Sequence, residues 1–326
     1  MKDAFGRSIS YLRISITDRC NERCVYCMPP DHSDWLPREA ILSYEEILAV
    51  ARVAARFGVR HYRVTGGEPL VRRDVTTFVR RLSGIDGVAS LGMTTNATRL
   101  AASAESLREA GLNSLNVSLD AVDPGVYARI TRGRLDEAVA GLRAARAAGF
   151  ENIKLNAVLL RGVSEAQIEP LVRFAVAERV AALRFIELMP VSLATSETDP
   201  DFLGVEEAEQ RLGRIDRLIP LETQRLGHGP ARYSRLENLG LVVGFIGAMT
   251  DEHFCESCNK VRLTADGFLR PCLGNHGEVD LKPALRPRVN EEALADLFRQ
   301  TLAEKPEAHS MLEQYTPLRI MTAIGG

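Results

Sequence analysis

The sequence predicts an α/β chain: an incomplete parallel (β/α)6 barrel, a partial TIM barrel, followed by a C-terminal extension. Three observations carry this. Six short β-branched or alternating apolar runs recur before about residue 190, helical stretches with recognisable ends separate them, and the texture changes after Pro190. A doubly wound open sheet gives the same alternation, but six units fit an incomplete barrel better than a full eight-unit one. The division is expected near residue 230, giving 1–230 as the barrel and 231–326 as the extension.

The strand runs are Tyr11–Thr17, His61–Thr65, Ser90–Thr94, Ser114–Ser118, Asn152–Val158 and Ala182–Ile186. Ser43 with Glu46 forms a capping box that opens the helical run Ser43–Phe57, and Gly58 supplies its C-cap. Ser164 with Gln167 repeats the device ahead of Ile168–Glu178, while Gly111 and Gly149 end two other runs. Beyond Pro190 come a polar loop (Ser192–Pro200), a short helix (Val205–Leu212), a turn (Gly227–Pro230) and a helix over Asn290–Glu304.

Composition narrows the function. With 326 residues, 45% hydrophobic and 26% charged, a buried core is expected and wholesale disorder is not. The 41 basic and 43 acidic residues leave a net charge of −2, which argues against a protein that coats nucleic acid. Met1 to Ser10 lack an apolar signal core, and the longest apolar stretch, Leu239–Met249, has 11 residues. A spanning helix needs roughly 20, so a soluble cytoplasmic protein with no membrane partner is expected.

The six cysteines fall in two triplets. Cys20-x3-Cys24-x2-Cys27 directly follows the first strand, and Cys255-x2-Cys258-x13-Cys272 lies far down the chain. Clusters of this kind read as metal ligands rather than a disulfide framework. Three thiolates per site hold three irons of a [4Fe–4S] cluster and leave the fourth open. Zinc completed by His32, or by His253 or His276, is the competing reading. The first triplet, with Tyr26 just before its last cysteine, resembles the radical S-adenosylmethionine superfamily. Thr65-Gly66-Gly67-Glu68-Pro69 after the second strand resembles that superfamily's element for the methionine amino group, and Ser118 ends the fourth strand.

Both triplets, with the opening Phe5-Gly6-Arg7 and the closing Gly325-Gly326, are similar to those of the GTP 3′,8-cyclase family of molybdenum cofactor biosynthesis. The resemblance spans essentially the whole chain. It implies [4Fe–4S] clusters on Cys20, Cys24, Cys27 and on Cys255, Cys258, Cys272, with S-adenosyl-L-methionine at the first. It implies GTP as substrate, (8S)-3′,8-cyclo-7,8-dihydroguanosine 5′-triphosphate as product, and a homodimer fed by an external electron donor. The product would pass to cyclic pyranopterin monophosphate synthase. Tyr26, Gly67, Glu68, Ser118 and Met189 match cofactor positions; Arg13, Arg63, Thr94, Lys154 and Lys260–Val261–Arg262 match GTP positions. Arg13, Lys154, Gly325 and Gly326 form the expected catalytic set, the glycines as a tail that reaches the active site.

Strand alternation adds a check of its own. Arg13, Arg63, Lys154 and Arg184 each sit between apolar neighbours, so if those neighbours face the helices, all four cations point into the lumen. A lumen lined this way is costly unless an anion pairs with it, whereas strand-edge residues reaching solvent would need none. Two departures stand out: His61 replaces a common lysine, and Lys260 a common arginine. A radical enzyme acting on a peptide and a zinc-stabilised nucleic-acid module are the rival functions. Neither accounts for four luminal cations in a chain of pI about 6.4.

Overall fold

The computed structural model describes residues 1–192, 202–221, 226–313 and 315–325. The expected polar loop beyond Ser192 and the terminal Gly326 therefore lie outside the described residues. From the N-terminus run β1 (Tyr11–Ser15), α1 (Tyr44–Arg56), β2 (His61–Thr65), α2 (Val75–Ser83), β3 (Ser90–Thr95), α3 (Ala104–Glu109) and β4 (Ser114–Ser118). Next come α4 (Pro124–Thr131), α5 (Leu135–Ala147), β5 (Ile153–Leu159), α6 (Ile168–Ala177) and β6 (Ala182–Glu187). Each of the six strands pairs in parallel with the next, as the strand–helix alternation predicts. Leu12, Ile14, Tyr62, Val64, Leu155 and Phe185 face the helices and are buried in one core.

The chain past β6 completes this sheet. It contributes α7 (Val205–Ile215), β7 (Leu218–Pro220), β8 (Arg232–Leu236), β9 (Val242–Ile246), β10 (Lys260–Leu263), β11 (Phe268–Arg270), β12 (Val279–Asp280), α8 (Lys282–Leu285), α9 (Glu291–Ala303) and α10 (Met321–Ile324). The 12 strands lie in the order β12-β11-β10-β1-β2-β3-β4-β5-β6-β9-β8-β7. Thus β10 runs parallel to β1 and β9 parallel to β6, which carries the second cysteine triplet to the edge beside the first. Stacking of Phe57 on Phe298, with ring centres 5.2 Å apart, seals α9 against α1.

One expected cap forms and one does not. Ser43 Oγ accepts from the Glu46 amide at 3.1 Å, and Glu46 accepts from the Ser43 amide at 2.6 Å. Ser164 instead has helical backbone angles and makes no cap. Its hydroxyl donates to the Val158 carbonyl and accepts from the Leu160 amide, closing the end of β5. The Gln167 side chain is likewise taken, accepting from the amides of Val122 and Asp123 beyond β4. Tertiary demand for those two side chains outweighs the local cap.

Candidate functional site

The first cysteine loop leaves the carboxyl end of β1. The Cys24 carbonyl accepts from the amides of Cys27 and Met28, and the amides of Arg23 and Val25 donate to carbonyls at the end of α4, fixing the loop from both sides. Cys20, Cys24 and Cys27 are free thiols. Burial pushes all three up, and Cys20 and Cys24 also feel the charges of nearby carboxylates and of other cysteines of the triplet. The carboxylates are Glu22, Glu68 and Asp120, all buried. Glu22 accepts from Tyr127 Oη at 2.8 Å; Asp120 accepts from Tyr26 Oη and the Val158 amide, both at 2.8 Å. Burial raises Glu22 and Glu68 to about 7 and Asp120 to about 6, values that a cationic ligand would lower.

Gly66 and Gly67 press against this loop. The Gly67 amide donates to the Thr17 carbonyl at 2.8 Å, and a Cβ on Gly67 would lie 2.4 Å from the Arg19 carbonyl oxygen. No larger residue fits there. Glu68 accepts from the Leu70 amide, the Thr95 hydroxyl and the Asn96 amide. Those three bonds hold its carboxylate in place and leave one of about four lone-pair directions over. Ser118 is half-buried at the end of β4, beside Asn156 of β5. Met189 packs in a small apolar cluster with Val191, Ala248 and Met311, which Met321, Phe254 and Leu273 flank.

The second triplet sits in different surroundings. Cys255 and Cys258 share a turn between β9 and β10, and Cys272 follows β11. Burial raises Cys255 and Cys272. It also pushes Cys258 up, but the charges of Lys305 and Lys260 outweigh it and leave that thiol below its ordinary value. Arg7 spans this region: its guanidinium donates to the carbonyls of Cys255, Pro306 and Glu307 and pairs with Asp3 at 2.6 Å. Both triplets are all-sulfur donor sets, which suits iron–sulfur clusters. Among the described residues, no three such side chains gather around one point as a single ion requires. His253 pairs with Glu256 and His276 stacks on Tyr315, and neither of them, nor His32, belongs to a group of three ligands that could hold one ion among the described residues.

Between the triplets lie the luminal cations. Register aligns Arg262, Arg13 and Arg63 across β10, β1 and β2, and Lys260, Tyr11 and His61 across the same strands. Arg63 donates to Tyr11 Oη at 2.6 Å, the Met93 carbonyl at 2.9 Å and Ser114 Oγ at 3.2 Å. It lies across Gly92, where any Cβ would meet its guanidinium at 2.5 Å. Lys154 bonds Asn152, and Arg184 donates twice to Asn156, at 2.9 and 2.6 Å. No carboxylate pairs with Arg63, Lys154, Arg184, Lys260 or Arg262 among the described residues. Burial, then neighbouring cations, lowers Lys154 to about 7, Lys260 to about 8 and Arg13 to about 9. Lys154 and Lys260 are cations waiting for an anion. Thr94 Oγ1 and Asn116 Oδ1, facing each other across β3 and β4, are buried without partners and point to the same ligand space. Val261 is wholly buried in the core, so only its backbone is available to a ligand.

The tail enters this space. The Gly325 carbonyl accepts from Arg13 Nε at 3.4 Å and Arg262 Nη1 at 3.0 Å, and the Thr322 amide donates to the Cys27 sulfur. Gly325 is left-handed, at φ +74°, and packs on Ser15 and Thr65. His61 stacks on His228 with ring centres 3.3 Å apart, and burial lowers it to about 4, so it is neutral at pH 7. Sequence reasoning did not single out Tyr11, Glu22, Asn116, Asp120 or Lys305. Period-two alternation alone would have put Tyr11 beside Arg13 and Asn116 beside Ser118 on the luminal face. Lys305 carries no signal of that kind.

A family model described as "Radical SAM superfamily" matches residues 14–175, and one described as "Molybdenum Cofactor Synthesis C" matches 181–311. The GTP 3′,8-cyclases of Pelotomaculum thermopropionicum and Moorella thermoacetica are 44% and 45% identical to the chain over 100% of both partners. Among solved structures, Streptococcus suis SuiB bound to S-adenosylmethionine has the same fold. Its TM-score is 0.65 at 16% identity, over 90% of this chain and 66% of that one. Among the described residues no helix is long and apolar enough to cross a membrane.

Proposed function

The chain belongs to the GTP 3′,8-cyclase family of radical S-adenosylmethionine enzymes, and we propose that it converts GTP to (8S)-3′,8-cyclo-7,8-dihydroguanosine 5′-triphosphate, the first step toward molybdenum cofactor. One observation carries the reading: a single lumen has buried acids around one cysteine triplet and buried cations leading to the other. Cys20, Cys24 and Cys27 hold one [4Fe–4S] cluster, and Cys255, Cys258 and Cys272 hold the second. When bound at the first, S-adenosylmethionine supplies the 5′-deoxyadenosyl radical that starts cyclisation.

The chain's own residues bind and orient. Glu22, Glu68 and Asp120 offset the cationic sulfonium and ammonium groups, Tyr26, Gly67, Ser118 and Met189 line that side, and Glu68's remaining lone pair suits the ammonium. Arg63, Lys154 and Arg184 face the triphosphate, with Thr94 and the Lys260–Arg262 segment alongside. Arg13, Arg262 and Gly325 form the junction between the two ligands. Fixing both in one dry lumen makes hydrogen transfer from ribose C3′ and closure onto C8 effectively intramolecular. In the same reading the enzyme is a cytoplasmic homodimer, takes electrons from an external donor and passes its product to cyclic pyranopterin monophosphate synthase.

The test is anaerobic incubation of the reconstituted protein with GTP, S-adenosylmethionine and dithionite, followed by mass spectrometry of the nucleotide. Cyclised GTP and 5′-deoxyadenosine in step are expected. Cleavage of S-adenosylmethionine with GTP recovered unchanged would favour another substrate, such as a peptide.

A further inference from the structure

Lys305 directly follows the turn that ends α9, and its side chain is only 2% exposed. A lysine ammonium has three N–H bonds. Here they go to Cys258 Sγ at 3.4 Å, the Lys260 carbonyl at 2.9 Å and the Pro271 carbonyl at 2.5 Å. Both carbonyls belong to residues next to cluster ligands: Lys260 lies two beyond Cys258, and Pro271 immediately precedes Cys272. One ammonium therefore ties together the two chain segments that bring those ligands to the second cluster.

What is missing is as informative as what is made. No Asp or Glu pairs with Lys305 among the described residues, and burying an unpaired ammonium is unfavourable. Among the three groups it touches, only the Cys258 thiol can become an anion. The site is built to hold that sulfur as a thiolate. Among the described residues no lysine or arginine donates to a sulfur of the first triplet: Arg23 reaches only the Cys20 carbonyl, and Cys20 and Cys27 receive backbone amides, from Glu22 and Thr322. Arg7 strengthens the arrangement by clasping Pro306 and Glu307 to the Cys255 carbonyl.

We propose that Lys305 is a positioning residue of the second cluster, donating an N–H···S bond to Cys258 and supplying the fixed positive charge that favours the cluster's reduced form. A cation at a cluster thiolate stabilises the added electron, so its loss makes reduction harder. The inference deepens the two-cluster reading and rests on it. Its consequence is an electronic asymmetry: the cluster on the GTP side is easier to reduce than the same ligands would make it without Lys305.

The experiment uses the full chain, reconstituted anaerobically, as wild type, Lys305→Met and Lys305→Arg. Iron and sulfide per chain and an electron paramagnetic resonance redox titration are measured for each. In Lys305→Met the second cluster should titrate at lower potential, with its reduced-to-oxidised ratio changed about tenfold at fixed potential, or about 59 mV for one electron. The first cluster should not move, and Lys305→Arg should return most of the shift. If Lys305→Met fails to load the second cluster while Lys305→Arg loads it, the need for the charge is supported. A loaded Lys305→Met protein titrating with wild type, or loss of the cluster from both variants alike, overturns the proposal. Wild type that binds one cluster only would overturn the two-cluster reading together with this inference.

Discussion

The two cysteine triplets have the same ligands and opposite surroundings. Glu22, Glu68 and Asp120 are buried around the first, whereas Lys260, Arg262, Lys305 and Arg7 surround the second. Identical cysteine chemistry is thus placed in opposite fields, and in the proposed reading those fields sort the two ligands. An acidic pocket suits a sulfonium and an ammonium; a cationic one suits a triphosphate. The Gly325 carbonyl, held by Arg13 and Arg262, and the Thr322 amide at Cys27 join the two halves.

Replacing one cysteine in each half probes the comparison most severely. Cys24→Ser should abolish reductive cleavage of S-adenosylmethionine with or without GTP. Cys272→Ser should still yield 5′-deoxyadenosine while forming no cyclised nucleotide. Product at wild-type rate from Cys272→Ser would end the division of labour between the halves. Next in size is the junction. Deleting Gly325 and Gly326 removes the acceptor shared by Arg13 and Arg262 but leaves the buried Ile324 anchor. Iron content and GTP affinity should stay, while product per enzyme falls roughly a hundredfold, as misplacement of reacting partners does. Equal turnover at matched iron would make the tail a passive end.

How much of this was legible in the sequence depended on whether the signal was local. Cys20 to Cys27 and the alternation around Arg13, Arg63, Lys154 and Arg184 are local, and the strands appear where alternation put them. Other features need the assembled sheet. β10, four residues long, lies beside β1 only because of a pairing across about 250 positions; β7, β11 and β12 are only two or three residues long, and nothing local to the apolar β9 says that it pairs with β6. The Ser164 cap failed because its hydroxyl serves the end of β5. Glu22 and Asp120 looked like ordinary loop acids until burial and the hydroxyls of Tyr127 and Tyr26 gave them their setting.

A gentler probe is pH. Burial, then Arg184 and Arg63, lowers Lys154 to about 7 in the open lumen. A bound phosphate favours the charged form, so the bound pKa lies above the free one and GTP binding takes up a proton. Affinity should then fall as pH rises from about 7 toward 9, by at most about tenfold per unit. Lys154→Met should weaken binding at pH 7 and flatten that slope; an unchanged slope would move the proton uptake to another group.

The central claim, that charge segregates the two ligands, is tested most directly by titrating S-adenosylmethionine and GTP calorimetrically into reconstituted Asp120→Asn and Lys154→Met. Asp120 is raised only to about 6 and is therefore mostly ionised at pH 7.5. Asp120→Asn should weaken S-adenosylmethionine and leave GTP within about twofold of wild type, and Lys154→Met should do the reverse, as independent sites do. Equal losses of both ligands in either variant, or no loss in both, would contradict the segregation.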